Sequence, residues 1–307
     1  MTLEHALESF IIDQRLRGNT SKTIQGYKGF LSRFMSWLSQ KGIVNIQTLT
    51  LLHVQEYQLY IDTKPAETRG GDKLSKRSVQ TYMRHIKVFL TYCHSEGFLP
   101  DPLHLRIRMP KAERPAIEIL TDEEACIIFD TFTRSEMGLR NRAFICLLLD
   151  CGLRLSEAVS IKTEDINFEK GYVMVMGKGR KGRIVPVGLK VRRAMLAYVN
   201  KRRMATYQDD NQYFFLTKER KPITNACISS LMSRLKKKTN IPRLHAHLFR
   251  HTFATNFLVH GIGDVYELSR ILGHSQISIT EKYLQLASYY TIMEKRKRLS
   301  YLDMNRM

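Results

Sequence analysis

The run His245-Ala246-His247-Leu248-Phe249-Arg250-His251-Thr252-Phe253-Ala254-Thr255 decides how this chain is read. Its apolar spacing predicts a helix over about residues 247–260. The i,i+3 offset then sets His247 and Arg250 on one helix face. The H-x-H and H-x-x-x-H spacings invite a metal, but a helical zinc pair commonly carries an H-E-x-x-H glutamate and a further ligand. The run has no such glutamate. A face bearing a histidine and an arginine could instead hold the non-bridging oxygens of one phosphate.

Three other stretches carry groups of the same kind. In Gly152-Leu153-Arg154-Leu155-Ser156-Glu157 an arginine lies between a glycine turn and a helix start. It either pairs structurally with Glu157 or presents a fixed guanidinium to phosphate oxygens. The glycine-flanked basic turn Gly177–Arg183 lacks G-x-x-x-x-G-K-[ST] and joins two strands, which excludes a nucleotide P-loop. Such a tip is a solvated turn, or it lays Lys178 beside a phosphate. Leu272-Gly273-His274 is followed nine residues on by Tyr283. Taken singly, these last two are a helix-end histidine and a core tyrosine.

Composition narrows the class. The 307 residues hold 49 Lys and Arg against 29 Asp and Glu, a formal charge of +20, which favours a polyanionic partner over a neutral one. The excess is spread, with 17 basic and 10 acidic residues in 1–115 and 32 and 19 in 116–307, so both halves are drawn to the polyanion. The 43% hydrophobic fraction excludes wholesale disorder. The longest apolar run, Phe144–Leu149, is too short to span a bilayer, and Met1-Thr2-Leu3-Glu4-His5 does not open a signal peptide. Nucleic acid therefore leads over a membrane surface, and the expected location is the cytoplasm. The five cysteines include no C-x-x-C pair. Cys93, Cys126 and Cys146 lie in apolar helical patterns and are expected to be buried free thiols.

Periodicity lays out the rest. Residues 1–99 read as helices striped by Leu7, Phe10, Ile11 and Leu16; by Ile24, Tyr27, Leu31, Phe34 and Leu38; by Val54, Tyr57 and Ile61; and by Val79, Tyr82, Ile86, Phe89 and Cys93. Asn19 and Ser21 are the cap candidates for the second helix, Ser75 precedes the fourth, and Gly97 ends it. Residues 100–116 hold Pro100, Pro102, Pro110 and Pro115 among Arg106, Arg108, Lys111 and Arg114, and predict an extended basic linker. From 117 to 307 a capping box (Thr121, Glu124) opens a helix through Phe129, and another helix covers about 140–149. Short strands follow at Ile166–Phe168, Tyr172–Met176 and Arg183–Val187. Helices then run at about 189–203, 225–238, 247–260, 264–272 and 278–287, with a terminal one around Glu294–Leu302. The expected fold is an all-α first domain and a mainly α second domain with a small antiparallel sheet.

In their order and spacing, Arg154, Lys178, His247, Arg250, His274 and Tyr283 resemble the site of the tyrosine recombinases, the phage-integrase and Xer-type site-specific recombinases. The likeness rests on Gly-Leu-Arg-Leu-Ser-Glu, the hairpin lysine, His-x-x-Arg-His-Thr-Phe-Ala-Thr, Leu-Gly-His and the downstream tyrosine, and spans about residues 117–290. Phe249 stands where the family more often has leucine, a difference expected to affect packing only. The helical first domain resembles the family's core-binding, SAM-like domain.

The resemblance implies that Tyr283 attacks the scissile phosphate, forming a 3′-phosphotyrosyl link. Arg154 and Arg250 hold the phosphate oxygens, Lys178 protonates the leaving 5′-oxygen, His247 assists proton transfer, His274 hydrogen-bonds the phosphate and Glu157 braces the site. It implies no metal and no cofactor. The implied partners are double-stranded DNA bearing specific recombination sites and three further protomers in a tetramer, with a related recombinase or a DNA-bending protein as accessory. The C-terminal tail docks on a neighbouring subunit or frays. The offsets of His245 and His251 make them surface or supporting residues. A helical domain that begins almost at once leaves no room for an arm-binding domain, which favours a Xer-like resolvase or the recombinase of a mobile element. A type IB topoisomerase-like enzyme and a non-catalytic DNA-binding regulator are the alternatives.

Overall fold

A computed structural model describes residues 1–63, 73–112, 116–177, 182–205 and 211–298, without the side chains of 203–205 and 294–298. The chain divides into two compact units, Met1–Pro115 and Ala116–Met307.

The first unit is helical: α1 Leu3–Leu16, α2 Ser21–Gln40, α3 Leu51–Thr63, α4 Lys76–Ser95 and the single turn α5 Leu103–Arg106. The apolar stripes of α2, α3 and α4 converge on one core around Phe10, Phe34, Tyr57, Phe89 and Leu31. Each such side chain contributes about 2 kcal/mol on burial. Two local expectations need correction. Leu16 is exposed, because the buried face of α1 runs through Leu3, Ala6, Phe10 and Gln14, and position 16 turns away from it. The cap of α2 is Thr20, whose hydroxyl accepts from the Thr23 amide.

The proline-rich stretch also departs from a wholly extended strap. Its start folds into α5, and Leu103 in this turn and Ile107 just after it are buried in the first unit's core. Proline is tolerated at a helix start, where its missing N–H breaks no intrahelical bond, so Pro102 can open this turn.

The second unit holds α6 Asp122–Asp130, α7 Glu136–Asp150, α8 Leu155–Val159, strands β1 Ile166–Asn167, β2 Tyr172–Met176 and β3 Gly182–Pro186, then α9 Leu189–Ala205, α10 Asn225–Thr239, α11 Ala246–Val259, α12 Val265–Leu272 and α13 Ser278–Arg298. The strands form an antiparallel sheet in the order β1-β2-β3, with Val173 opposite Val185. Val173, Val175 and Val185 are buried, while Met174, Met176 and Ile184 on the other face are exposed, the period-2 alternation of a half-covered sheet. Helix α7 is central: Phe144 and Leu148 join Tyr198 of α9 and Phe249 of α11 in one cluster.

The Thr121–Glu124 capping box opens α6 as the sequence predicts. Cys93 is buried and Cys146 half-buried, but Cys126 is exposed. Helix α6 buries only Ile128, and a residue two positions earlier points to the opposite side. At the other end, α13 continues unbroken to Arg298 where two helices were expected, and residues 299–302 lie outside the described residues. Among the described residues, no helix is long and apolar enough to cross a membrane.

Candidate active site

Helix α12 organises the site by ending in it. Asp264 and Glu267 cap its start, and Gly273 closes it in the left-handed conformation, φ +62°. The last carbonyls of a helix have no partner within it and carry the negative end of its dipole. Here three consecutive ones each take an arginine from a different element. Ile271 O accepts from Arg183 Nε at 2.7 Å, Leu272 O from Arg250 Nη2 at 2.7 Å and Gly273 O from Arg154 Nη2 at 2.9 Å. A Cβ on Gly273 would lie 2.8 Å from the Arg183 guanidinium, so this approach also requires glycine.

Glu157 on α8 neutralises part of that charge. Its carboxylate accepts from both Arg183 Nη atoms and from Arg154 Nη1, all at 2.8 Å, and from the Arg154 backbone amide. Burial pushes the carboxyl up, but the hydrogen bonds from Arg183 and Arg154 outweigh it and hold the pKa at about 2. Three guanidiniums against one carboxylate leave a fixed surplus of positive charge.

Arg250 on α11 is 3% exposed and donates to Gly152 O at 2.6 Å as well as to Leu272 O. Gly152 has φ +61°, and a Cβ there would strike the Phe253 ring at 2.3 Å. Burial, then Arg154, lower the Arg250 pKa to about 10, which leaves the guanidinium charged at neutral pH. Its Nη2 also lies 3.0 Å from His274 Nε2, and His274 Nδ1 lies 2.8 Å from the buried Thr280 hydroxyl. A guanidinium can only donate, so Nε2 accepts and Nδ1 carries the proton. Desolvation, then Arg250, hold His274 at about 3, which matches that neutral tautomer.

Tyr283 on α13 is 1% exposed among Ala254, Phe257, Leu268 and Leu272. Its hydroxyl meets His251 Nδ1 at 2.7 Å, and the Lys282 ammonium stands 5.0 Å from its ring centroid. Burial raises the tyrosine pKa, while Arg250 and Arg154 pull it down. His247, one turn before His251, is exposed, with its ring centroid 5.8 Å from that of His251. Desolvation and then Arg250 lower its pKa.

The structure thus joins Arg154, Glu157, Arg250 and His274 in one hydrogen-bonded network and sets Tyr283 beside it, with His247 on the adjoining face of α11. Lys178 lies outside the described residues. Among the described residues, no group of three His, Cys, Asp or Glu side chains converges as a metal site would. Such a cluster of neutral histidines, fixed cations and one phenol suits nucleophilic attack on a phosphodiester.

Comparison with known proteins agrees in kind. The Phage integrase family matches residues 118–289, and the Phage integrase SAM-like domain matches residues 5–107. The chain belongs to the phage integrase family. Tyrosine recombinase XerC of Oceanobacillus iheyensis is 27% identical over 289 residues, covering 92% of this chain and 91% of that protein. Tyrosine recombinase XerD of Listeria monocytogenes is 27% identical over 288 residues, covering 92% of each. Among solved structures, the Tn1549 transposon integrase in complex with transposon right end DNA superposes with a TM-score of 0.73 at 21% identity, over 98% of this chain and 100% of that one. This phage-integrase-family chain is a tyrosine-type site-specific DNA recombinase. That reading is favoured over the topoisomerase-like and regulatory alternatives.

Three residues that meet the candidate site residues are not evident from the sequence. Arg183 reads in sequence as the end of a basic turn and the start of a strand, and nothing local marks it as the partner of Glu157. Thr280 sits in an unremarkable helix start. The offset of His251 marks it only as a surface or supporting residue, although the i,i+4 spacing from His247 keeps both on one side of α11 and is the signal that could flag it.

Proposed function

We propose that this chain recognises specific sites in duplex DNA, cuts one strand through a 3′-phosphotyrosyl bond to Tyr283 and rejoins it to another strand through a Holliday junction. The observation that carries the proposal is the meeting of Arg154, Arg250 and His274 at the end of α12, beside a tyrosine hydroxyl. Arg154 and Arg250 hold the non-bridging oxygens and stabilise the charge of the pentacoordinate transition state. His274 donates to the same phosphate after rotating or changing tautomer, His247 assists proton transfer and Lys178 protonates the departing 5′-oxygen. The covalent link conserves the phosphodiester energy, so religation needs no ATP and no cofactor. Glu157 supports the site by anchoring Arg154.

The chain acts as residues 1–99, a core-binding domain, residues 100–116, a basic connecting segment whose start packs into the first unit's core, and residues 117–307, the catalytic domain. Both domains contact the duplex, and most of their contacts go to phosphates. Exposed cations of α2 and α4 such as Lys22, Lys28, Arg77 and Arg84 serve the first domain's share. Four protomers on two sites form the working complex, in the cytoplasm and on the nucleoid, with a related recombinase or DNA-bending protein as accessory. The task is resolution of DNA multimers or cointegrates, or movement of a mobile element. The Xer-type relatives and the DNA-bound transposon integrase support this setting.

The test is a nicked suicide substrate carrying the native site. Wild type accumulates a covalent protein–DNA adduct, and Tyr283→Phe forms none while still binding the DNA. Absence of the adduct in wild type, or its persistence in the phenylalanine variant, defeats the proposal.

A further inference from the structure

The attacking tyrosine needs a proton acceptor, and the structure offers one that the family resemblance does not assign. Among the described residues, the Tyr283 hydroxyl has one hydrogen-bond partner, His251 Nδ1 at 2.7 Å, to which its O–H can donate. The ring packs among Ala254, Phe257, Leu268 and Leu272, with the Lys282 ammonium 5.0 Å from its centroid. His247, to which the resemblance gives proton transfer, makes no hydrogen bond with the tyrosine.

We propose that His251 takes the proton of the Tyr283 hydroxyl as the tyrosine attacks the phosphate, an assignment that rests on the recombinase function above. The Tyr283 O–H bond breaks as the proton passes to Nδ1, and the phenolic oxygen bonds to phosphorus. The bond from phosphorus to the 5′-oxygen breaks, and that oxygen takes its proton from a separate acid, the role given to Lys178. In religation the imidazolium returns the proton to the departing phenolate.

The electrostatics suit this role. Desolvation first, then Lys282 on α13, His247 on α11, His245 at the N-cap of α11 and Arg250 on α11, bring the His251 pKa to about 4, so the imidazole is neutral and can accept. A base held that low is weak in the free protein. Lys282, Arg250 and the two histidines are the positive and protonatable neighbours that suppress it. A phosphodiester entering beside them offsets their charge and raises the basicity of His251, so substrate arrival switches the base on.

The experiment measures single-turnover adduct formation on the nicked substrate by wild type, His251→Ala and His251→Asn. Each is run with an ordinary phosphodiester and with a 5′-bridging phosphorothiolate, whose thiolate leaves without an acid. Asparagine approximates the ring's volume and keeps a hydrogen-bond acceptor but takes no proton, so the fold is retained. Both variants are expected to bind DNA as wild type does and to cleave about 10²-fold more slowly on both substrates. Cleavage at or above the wild-type rate would mean that His251 only restrains the resting tyrosine. Rescue by phosphorothiolate would assign it to the leaving group, and rescue by asparagine would reduce it to positioning; each of the three overturns the proposal. If wild type itself forms no adduct, the recombinase function fails as well. If wild type cleaves and the His251 variants match it, only the assignment of His251 falls.

Discussion

Arg154, Arg183 and Arg250 each meet two or more fixed partners among backbone carbonyls and the Glu157 carboxylate, whereas Tyr283, on the adjoining helix, has apolar packing and one hydrogen bond to His251. The arginines are committed before DNA arrives; the tyrosine is buried and must be uncovered. Electrostatic stabilisation gains from preorganisation, because donors already in place need no reorganisation during the reaction. A nucleophile gains from being sheltered until a phosphate lies in line. The two halves of one site therefore follow opposite rules, and substitutions should separate them.

The largest effect is expected from Arg250→Ala. It removes a charge aimed at the phosphate and leaves Gly152 O and Leu272 O without their donor. Adduct formation should fall by about 10³-fold or more in single-turnover assays, with DNA binding reduced far less. Equal losses of binding and cleavage would break the distinction between a preformed cradle and a sheltered nucleophile.

Glu157→Gln comes next and should act on stability before chemistry. Breaking a buried pair costs about 3 kcal/mol, read as a lowered midpoint in chemical denaturation. The pH dependence has a definite sign. The folded pKa of Glu157, about 2, lies below its ordinary value of 4.5, so its contribution is present above pH 4.5 and is lost as pH falls toward 2. Wild type should lose about 3 kcal/mol across that window through this group, and the glutamine variant should show a flatter profile.

Gly273→Ala is the mildest. The left-handed backbone and the 2.8 Å approach of Arg183 together cost about 2 kcal/mol, and displacement of the three arginines should slow cleavage about tenfold. A variant that folds less stably yet cleaves at the wild-type rate would show that the carbonyl row holds the fold and not the phosphate.

The sequence was most legible where the information is local. The stripes of α2, α3 and α4 were readable because a 3.6-residue period exposes the buried face directly, and the Thr121–Glu124 box named its helix start. It was least legible where a residue's surroundings come from elsewhere in the chain. Leu16 and Cys126 fit apolar helical patterns but sit on exposed faces, and α5 formed because Leu103 and Ile107 could enter a core that the proline pattern does not reveal.

The same division holds in the active site. The sequence by itself determined which side chains share a helix, His247, Arg250 and His251 on α11, and which chemistry their types allow. Only the tertiary structure decided their partners. Arg154 meets Gly273 across 119 residues, and Arg183 meets Ile271 across 88. Helical periodicity encodes neighbours three and four positions away. The convergence of three arginines on three successive carbonyls depends instead on where α12 ends against α8, β3 and α11, and that is set by packing of the whole second unit.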